Sequence, residues 1–172
     1  MLFRSVSVFD IAQTEGDPLP ETPRPTLLRA DDARLPHLTE TLATFTRSRG
    51  FRVVMKDVYG TNGRFNIQEK TVYVNSFLPP LQTFKTLTHE VAHALMHSEG
   101  TEADRHVFEL EAESVAFLVC DSLGLDTSAY SFPYLAGWSR EPEEILDSAE
   151  RACKVADEIL SALAWADVRV AA

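Results

Sequence analysis

Thr88-His89-Glu90-Val91-Ala92-His93, set inside the apolar run from Leu87 to Met96, decides how this chain is read. It spells H-E-x-x-H. On a helix, residues four apart share a face one turn above each other, so His89 and His93 present two imidazoles to one point. Two such rings can hold one Zn²⁺, and Glu90 beside them can take a proton from water. The spacing points to metal-assisted hydrolysis. A helix that merely buried two satisfied histidines would need neither Glu90 nor a further ligand.

Catalytic zinc takes three protein ligands and leaves a position open. Downstream, residues 106–123 continue an apolar helical pattern that Gly124 ends. Within it Glu109 and Glu113 are four apart and share the face of Ala112, Ala116 and Cys120. Carboxylates on an apolar face are costly unless paired or metal-bound, which makes these two the candidates for the third ligand. Glu111 points away from that face and is expected in solvent. Periodicity alone leaves the choice between Glu109 and Glu113 open, because they lie only one turn apart.

The segments 85–97, 109–116 and 130–138, with the opening Val6-Ser7-Val8-Phe9-Asp10, resemble the ImmA/IrrE-type zinc metallo-endopeptidases of the gluzincin branch. Within that branch the chain most resembles the metalloprotease-like C-terminal domain of ArdC-type antirestriction proteins. The resemblance implies a zincin-like α+β fold: a small, mostly antiparallel sheet packed with several helices. It implies His89, His93 and Glu109 as zinc ligands, Glu90 as general base, and Glu113 as a partner that hydrogen-bonds a zinc histidine. Relatives commonly have Asp or Asn where Glu113 stands. The Tyr134/Trp138 segment implies Tyr134 as a donor to the developing oxyanion, ahead of Tyr130, His97 and His106. Peptidases of this type pair extended substrate with an edge strand before the zinc helix, and chain order makes Thr71–Asn75 that strand.

A length of 172 residues allows one domain with a real core. The expected organisation is an extended Pro-rich linker over 1–30, carrying Pro18, Pro20, Pro23 and Pro25, and a metallopeptidase domain over 31–172. ArdC-type proteins carry an N-terminal single-stranded-DNA-binding domain. Residues 1–25 resemble the linker that would follow it, which leaves two readings, a fragment of a longer protein or a protein without that domain, with a separately supplied DNA-binding domain or partner among the candidate partners. No run of about 18 apolar residues suits a membrane span, and no signal peptide is visible. Cys120 and Cys153 fall in apolar helical patterns and read as buried free thiols, which makes cytoplasmic residence the default.

Charge is uneven. Residues 1–87 hold 11 basic and 9 acidic side chains, residues 88–172 hold 5 and 17, and the net charge is −10. Such a surface repels phosphates, so this domain is not expected to bind nucleic acid directly. A protein or peptide substrate fits better. Two other classes remain: a catalytically silent zinc-binding sensor or interaction domain, and an acidic DNA mimic with antirestriction activity, which needs charge rather than zinc.

Along the chain, a helix is expected from Asp32 to about Arg49 with the stripe Leu35, Leu38, Leu42 and Phe45. Strands are expected at 6–11, 51–55, 64–67 and 71–75. The zinc helix should open at Pro79/Pro80 and run to about Ser98. Asp104 should cap the Glu109 helix, a short segment should run through Trp138, and a last helix should span Pro142 to about Trp165. The inner face of that helix should carry Ile145, Ala149, Ala152, Ala156, Ile159 and Leu163.

Overall fold

A computed structural model describes residues 27–98, 105–131 and 142–170, without the side chains of 142–147 and 165–170. The expected strand at 6–11, the Pro-rich segment, the Asp104 cap and the Tyr134/Trp138 segment lie outside the described residues. The element order is α1 (Leu35–Ser48), β1 (Arg52–Lys56), β2 (Gly63–Asn66), β3 (Thr71–Asn75), α2 (Pro80–Met96), α3 (Arg105–Ser122) and α4 (Pro142–Val170).

The α+β class holds, and the three-stranded sheet is mixed. Its order is β1-β3-β2. β1 runs parallel to β3 with Arg52 opposite Thr71, while β2 runs antiparallel with Asn66 opposite Thr71. Thr71–Asn75, expected at the edge, is therefore the central strand. Thr71, Val72, Tyr73 and Val74 are all buried, which a strand flanked on both sides allows and an edge strand rarely does. The edge next to α2 belongs to β2.

α2 is the axis of the molecule. It packs against the sheet, α1 and α3, and Leu81, Phe84, Leu87, Val91, Ala92 and Ala94 are buried along it. They join Val72 and Val74 of β3, Val115 and Val119 of α3 and Ile159 of α4 in one core. Thr88 and Gln82, buried in this interior, are hydrogen-bonded. Thr88 donates to the Phe84 carbonyl at 2.9 Å, and Gln82 donates to Thr86 at 3.2 Å while accepting the Leu28 amide at 3.0 Å.

Gly124 ends its helix as expected, and Gly50 closes α1 likewise. Gly124 has φ +73, its amide bonds Asp121 O, and the Leu125 amide reaches back to Cys120 O at 2.9 Å. That is a Schellman closure with buried Leu125 as its apolar contact. Gly50, at φ +88, ends α1 in the same way.

α4 runs past the expected Trp165. Among its described side chains the buried ones are Ser148, Ala152, Ala156, Ile159 and Leu163. Ala149, expected inside, is exposed. Cys153, expected buried, is also exposed, because it sits about 100° round the helix from Ala152. Cys120 is buried as expected.

Candidate metal centre

α2 and its C-cap residue supply a ladder at four-residue intervals: Lys85, His89, His93 and His97. α3 crosses it with Glu109, Glu111 and Glu113. A cavity of about 730 Å³ lies where these helices meet β2 and its preceding loop. Its walls include Asn62, Gly63, His89, Glu90, Glu109 and Tyr130.

His89, His93 and Glu109 converge. The two Nε2 atoms are 3.2 Å apart, and Glu109 Oε2 lies 3.5 Å from the first and 3.8 Å from the second. Ligands at the usual zinc distances in a tetrahedron are separated by roughly 3.3 Å. These residues thus fit a small divalent ion, and they are the one cluster of His, Cys, Asp or Glu among the described residues with that geometry. Glu113, the other candidate, instead accepts a hydrogen bond at Oε2 from His89 Nδ1 at 3.1 Å. The same oxygen accepts from Lys85 Nζ at 2.6 Å, with both side chains buried.

The electrostatics follow from this crowding. Burial opposes the charge on Glu109, but its hydrogen bonds with His89 and His93 outweigh that and hold its carboxyl well below the usual range. Burial likewise disfavours a charged His89, yet Glu109 and Glu113 lift its pKa to about 9. Glu90 is buried beside the cluster, and burial pushes its carboxyl up against the pull of His89 and His93.

Glu111 corrects the sequence reading. It is buried rather than solvated: Oε2 accepts from His97 Nε2 at 2.8 Å, and Oε1 is held by Arg151 of α4. The interior that α4 closes over α3 reaches further round the helix than periodicity indicates. Burial raises its carboxyl, and the bonds from His97 and Arg151 bring it below the ordinary value. His97 in turn places Nδ1 3.0 Å from His93 Nδ1.

The other expected oxyanion donors separate. Tyr134 is outside the described residues. His106 is not part of the cavity wall, and both His97 nitrogens are engaged. Tyr130 is at the cavity, with its hydroxyl 3.4 Å from Asn62 Nδ2 and its ring 4.1 Å from Lys85 Nζ. Sequence reasoning passed over Lys85, Gly63 and Arg151. The signal for Lys85 was present: a cation one turn before His89 on the same helical face.

Comparison with known proteins supports the fold. Residues 46–129 match the Peptidase_M78 family, the IrrE N-terminal-like domain. The uncharacterized protein pXO2-81 of Bacillus anthracis is 32% identical over 84 residues, which are 48% of this chain and 14% of that protein. The crystal structure of the antirestriction ArdC protein from plasmid R388, in its Mn(II)-bound form, superimposes with a TM-score of 0.53 at 24% identity. That likeness covers 91% of this chain and 62% of the ArdC chain. This chain thus spans less than two thirds of either protein. Among the described residues no helix is long and apolar enough to cross a membrane. The chain is ImmA/IrrE-like: residues 46–129, just under half of it, are similar to the metallopeptidase-like IrrE N-terminal-like domain.

Proposed function

We propose that the chain is a zinc-dependent metallopeptidase acting on a peptide bond of a protein substrate, in a regulatory, mobile-element or antirestriction setting. The observation that carries this is the convergence of His89 Nε2, His93 Nε2 and Glu109 Oε2 beside the buried carboxyl of Glu90. Two imidazoles and one carboxylate are a donor set of catalytic zinc. When bound, such an ion supplies Lewis acidity toward a carbonyl oxygen and acidifies water.

The chain's own residues supply the rest. Glu90 accepts the proton of the attacking water and delivers it to the leaving amine. Glu113 and Lys85 keep His89 turned toward the cluster. β2, the sheet edge at the cavity, offers backbone groups to an extended substrate in place of the strand expected from chain order. Tyr130 at the cavity and Tyr134 from the family resemblance are the hydroxyls available to the oxyanion.

The test is metal analysis of the purified chain together with a Glu90→Gln variant on a panel of unfolded proteins and peptides. About one zinc per chain, lost in His89→Ala and in His93→Ala, is the expected result. Glu90→Gln should keep the metal and lose cleavage. Full biological effect in Glu90→Gln would sink the peptidase reading in favour of a silent zinc domain or an acidic DNA mimic.

A further inference from the structure

The two candidate histidine ligands are anchored differently at the nitrogen that faces away from the metal. His89 Nδ1 meets a carboxylate directly, at Glu113. His93 Nδ1 meets another imidazole, His97, 3.0 Å away. His97 continues to Glu111 at 2.8 Å, and Glu111 to Arg151 on α4. The His97 ring is itself fixed, stacked on Phe108 with centroids 4.0 Å apart. Residues from three helices thus end on one ring nitrogen.

We propose that His97, Glu111 and Arg151 are a positioning relay that sets the tautomer and ring orientation of His93 and so its affinity for the metal. This rests on the metal-site reading above. Proton counting gives the relay a direction. A His93 that ligates through Nε2 carries its proton on Nδ1 and must donate it. His97 Nδ1 is then the acceptor, which places the His97 proton on Nε2. That proton is donated to Glu111 Oε2, and Glu111 Oε1 accepts from Arg151. Each link holds one proton, and a doubly protonated His97 would set two N–H groups head to head. The buried carboxylate and the guanidinium of α4 therefore select the form of His93 that can bind an ion. The alternative role, a structural tie between α3 and α4, predicts lost stability without a specific loss of metal affinity.

The experiment is competition for zinc between the full chain and a chromophoric chelator, with thermal unfolding of the metal-free protein measured alongside. His97→Phe keeps the ring packing on Phe108 and removes the acceptor, so zinc affinity should fall about 10–100-fold. His97→Gln should restore most of it, since the amide oxygen can accept from His93 while its N–H donates to Glu111. Arg151→Met removes one partner of the buried Glu111 carboxylate and should lower affinity in the same direction, with a modest fall in the metal-free unfolding temperature. Wild-type affinity in His97→Phe would overturn the relay. So would a loss without rescue by Gln that tracks the metal-free unfolding temperature. If His97→Phe does not fold, wild-type affinity in Arg151→Met overturns it instead. Zinc retained in His89→Ala would remove the metal-site reading itself, and the relay with it.

Discussion

Gly63 lies against Glu90 so closely that a Cβ added to it would stand 2.9 Å from Glu90 Cγ and 3.0 Å from its Oε1. The same atom would be 2.7 Å from Thr86 Cγ2. The strand edge and Glu90 are in direct contact, and only a hydrogen atom fits between them. Gly63→Ala should push Glu90 and Thr86 aside and destabilise the fold by about 1–3 kcal/mol, the usual cost of overpacking. Urea unfolding measures this. Zinc content should stay at the wild-type level, since none of the three converging residues is touched. An unchanged urea midpoint would show that the contact relaxes freely.

The two glutamates should rank clearly. Glu109→Ala removes one of three converging atoms and should strip most of the zinc. Glu113→Ala leaves all three and loses only the bond to His89 Nδ1, so affinity should fall about 10–100-fold. Isothermal titration with zinc on both variants checks the order. The reverse ranking would move the ligand by one turn of α3.

Lys85 and Glu113 form a buried ion pair, and breaking one side leaves a charge without its partner. Lys85→Met should cost about 3–5 kcal/mol, read from urea unfolding at neutral pH. Acid should act on the same pair. Burial works against the Glu113 charge, but His89 and Lys85 hold its carboxyl down at about 2, below its ordinary value of 4.5. A depressed folded-state pKa means that the unfolded chain takes up the proton first. The contribution is therefore complete above pH 4.5 and is lost as pH falls toward 2. In Glu113→Gln this part of the acid sensitivity should disappear from the pH profile of metal-free unfolding.

The cysteines give a test of the packing of α4. Burial pushes the Cys120 thiol up to about 12, and Cys153 is exposed. A maleimide at neutral pH should label one thiol per folded chain, and peptide mapping should place it at Cys153. A second thiol should react only after unfolding. Labelling of Cys120 in the native protein would show that the α2–α3–α4 core opens.

What the sequence revealed follows from where each interaction lives. His89, Glu90 and His93 are related within one helical turn, and Glu109 with Glu113 within another, so periodicity finds them. The glycine stops and the β2–β3 pairing are local for the same reason. Strand order is not: nothing near Thr71–Asn75 records that β1 arrives on its far side. Glu111 and Arg151 are 40 positions apart, and their pairing exists only because α4 folds back over α3. A glutamate amid Leu110, Ala112 and Val115, an arginine just before buried Ala152, and a histidine one turn past His93 were the traces of it. Cys153 was misread because an apolar side chain next to a buried alanine still points elsewhere on a helix.

The order of elements along the chain also governs when the centre is assembled. β2, β3 and α2 are consecutive, and Asn66 pairs with Thr71 across one short turn. Short loops close at little entropic cost and close early. The two histidines and Glu90 ride on this contiguous unit, whereas Glu109 comes with α3, and Arg151 with a helix later still. On the proposed ligand set, the histidine pair is therefore in place before the third donor. On the metal site proposed above, tight capture of an ion would wait for the docking of α3, which brings Glu109.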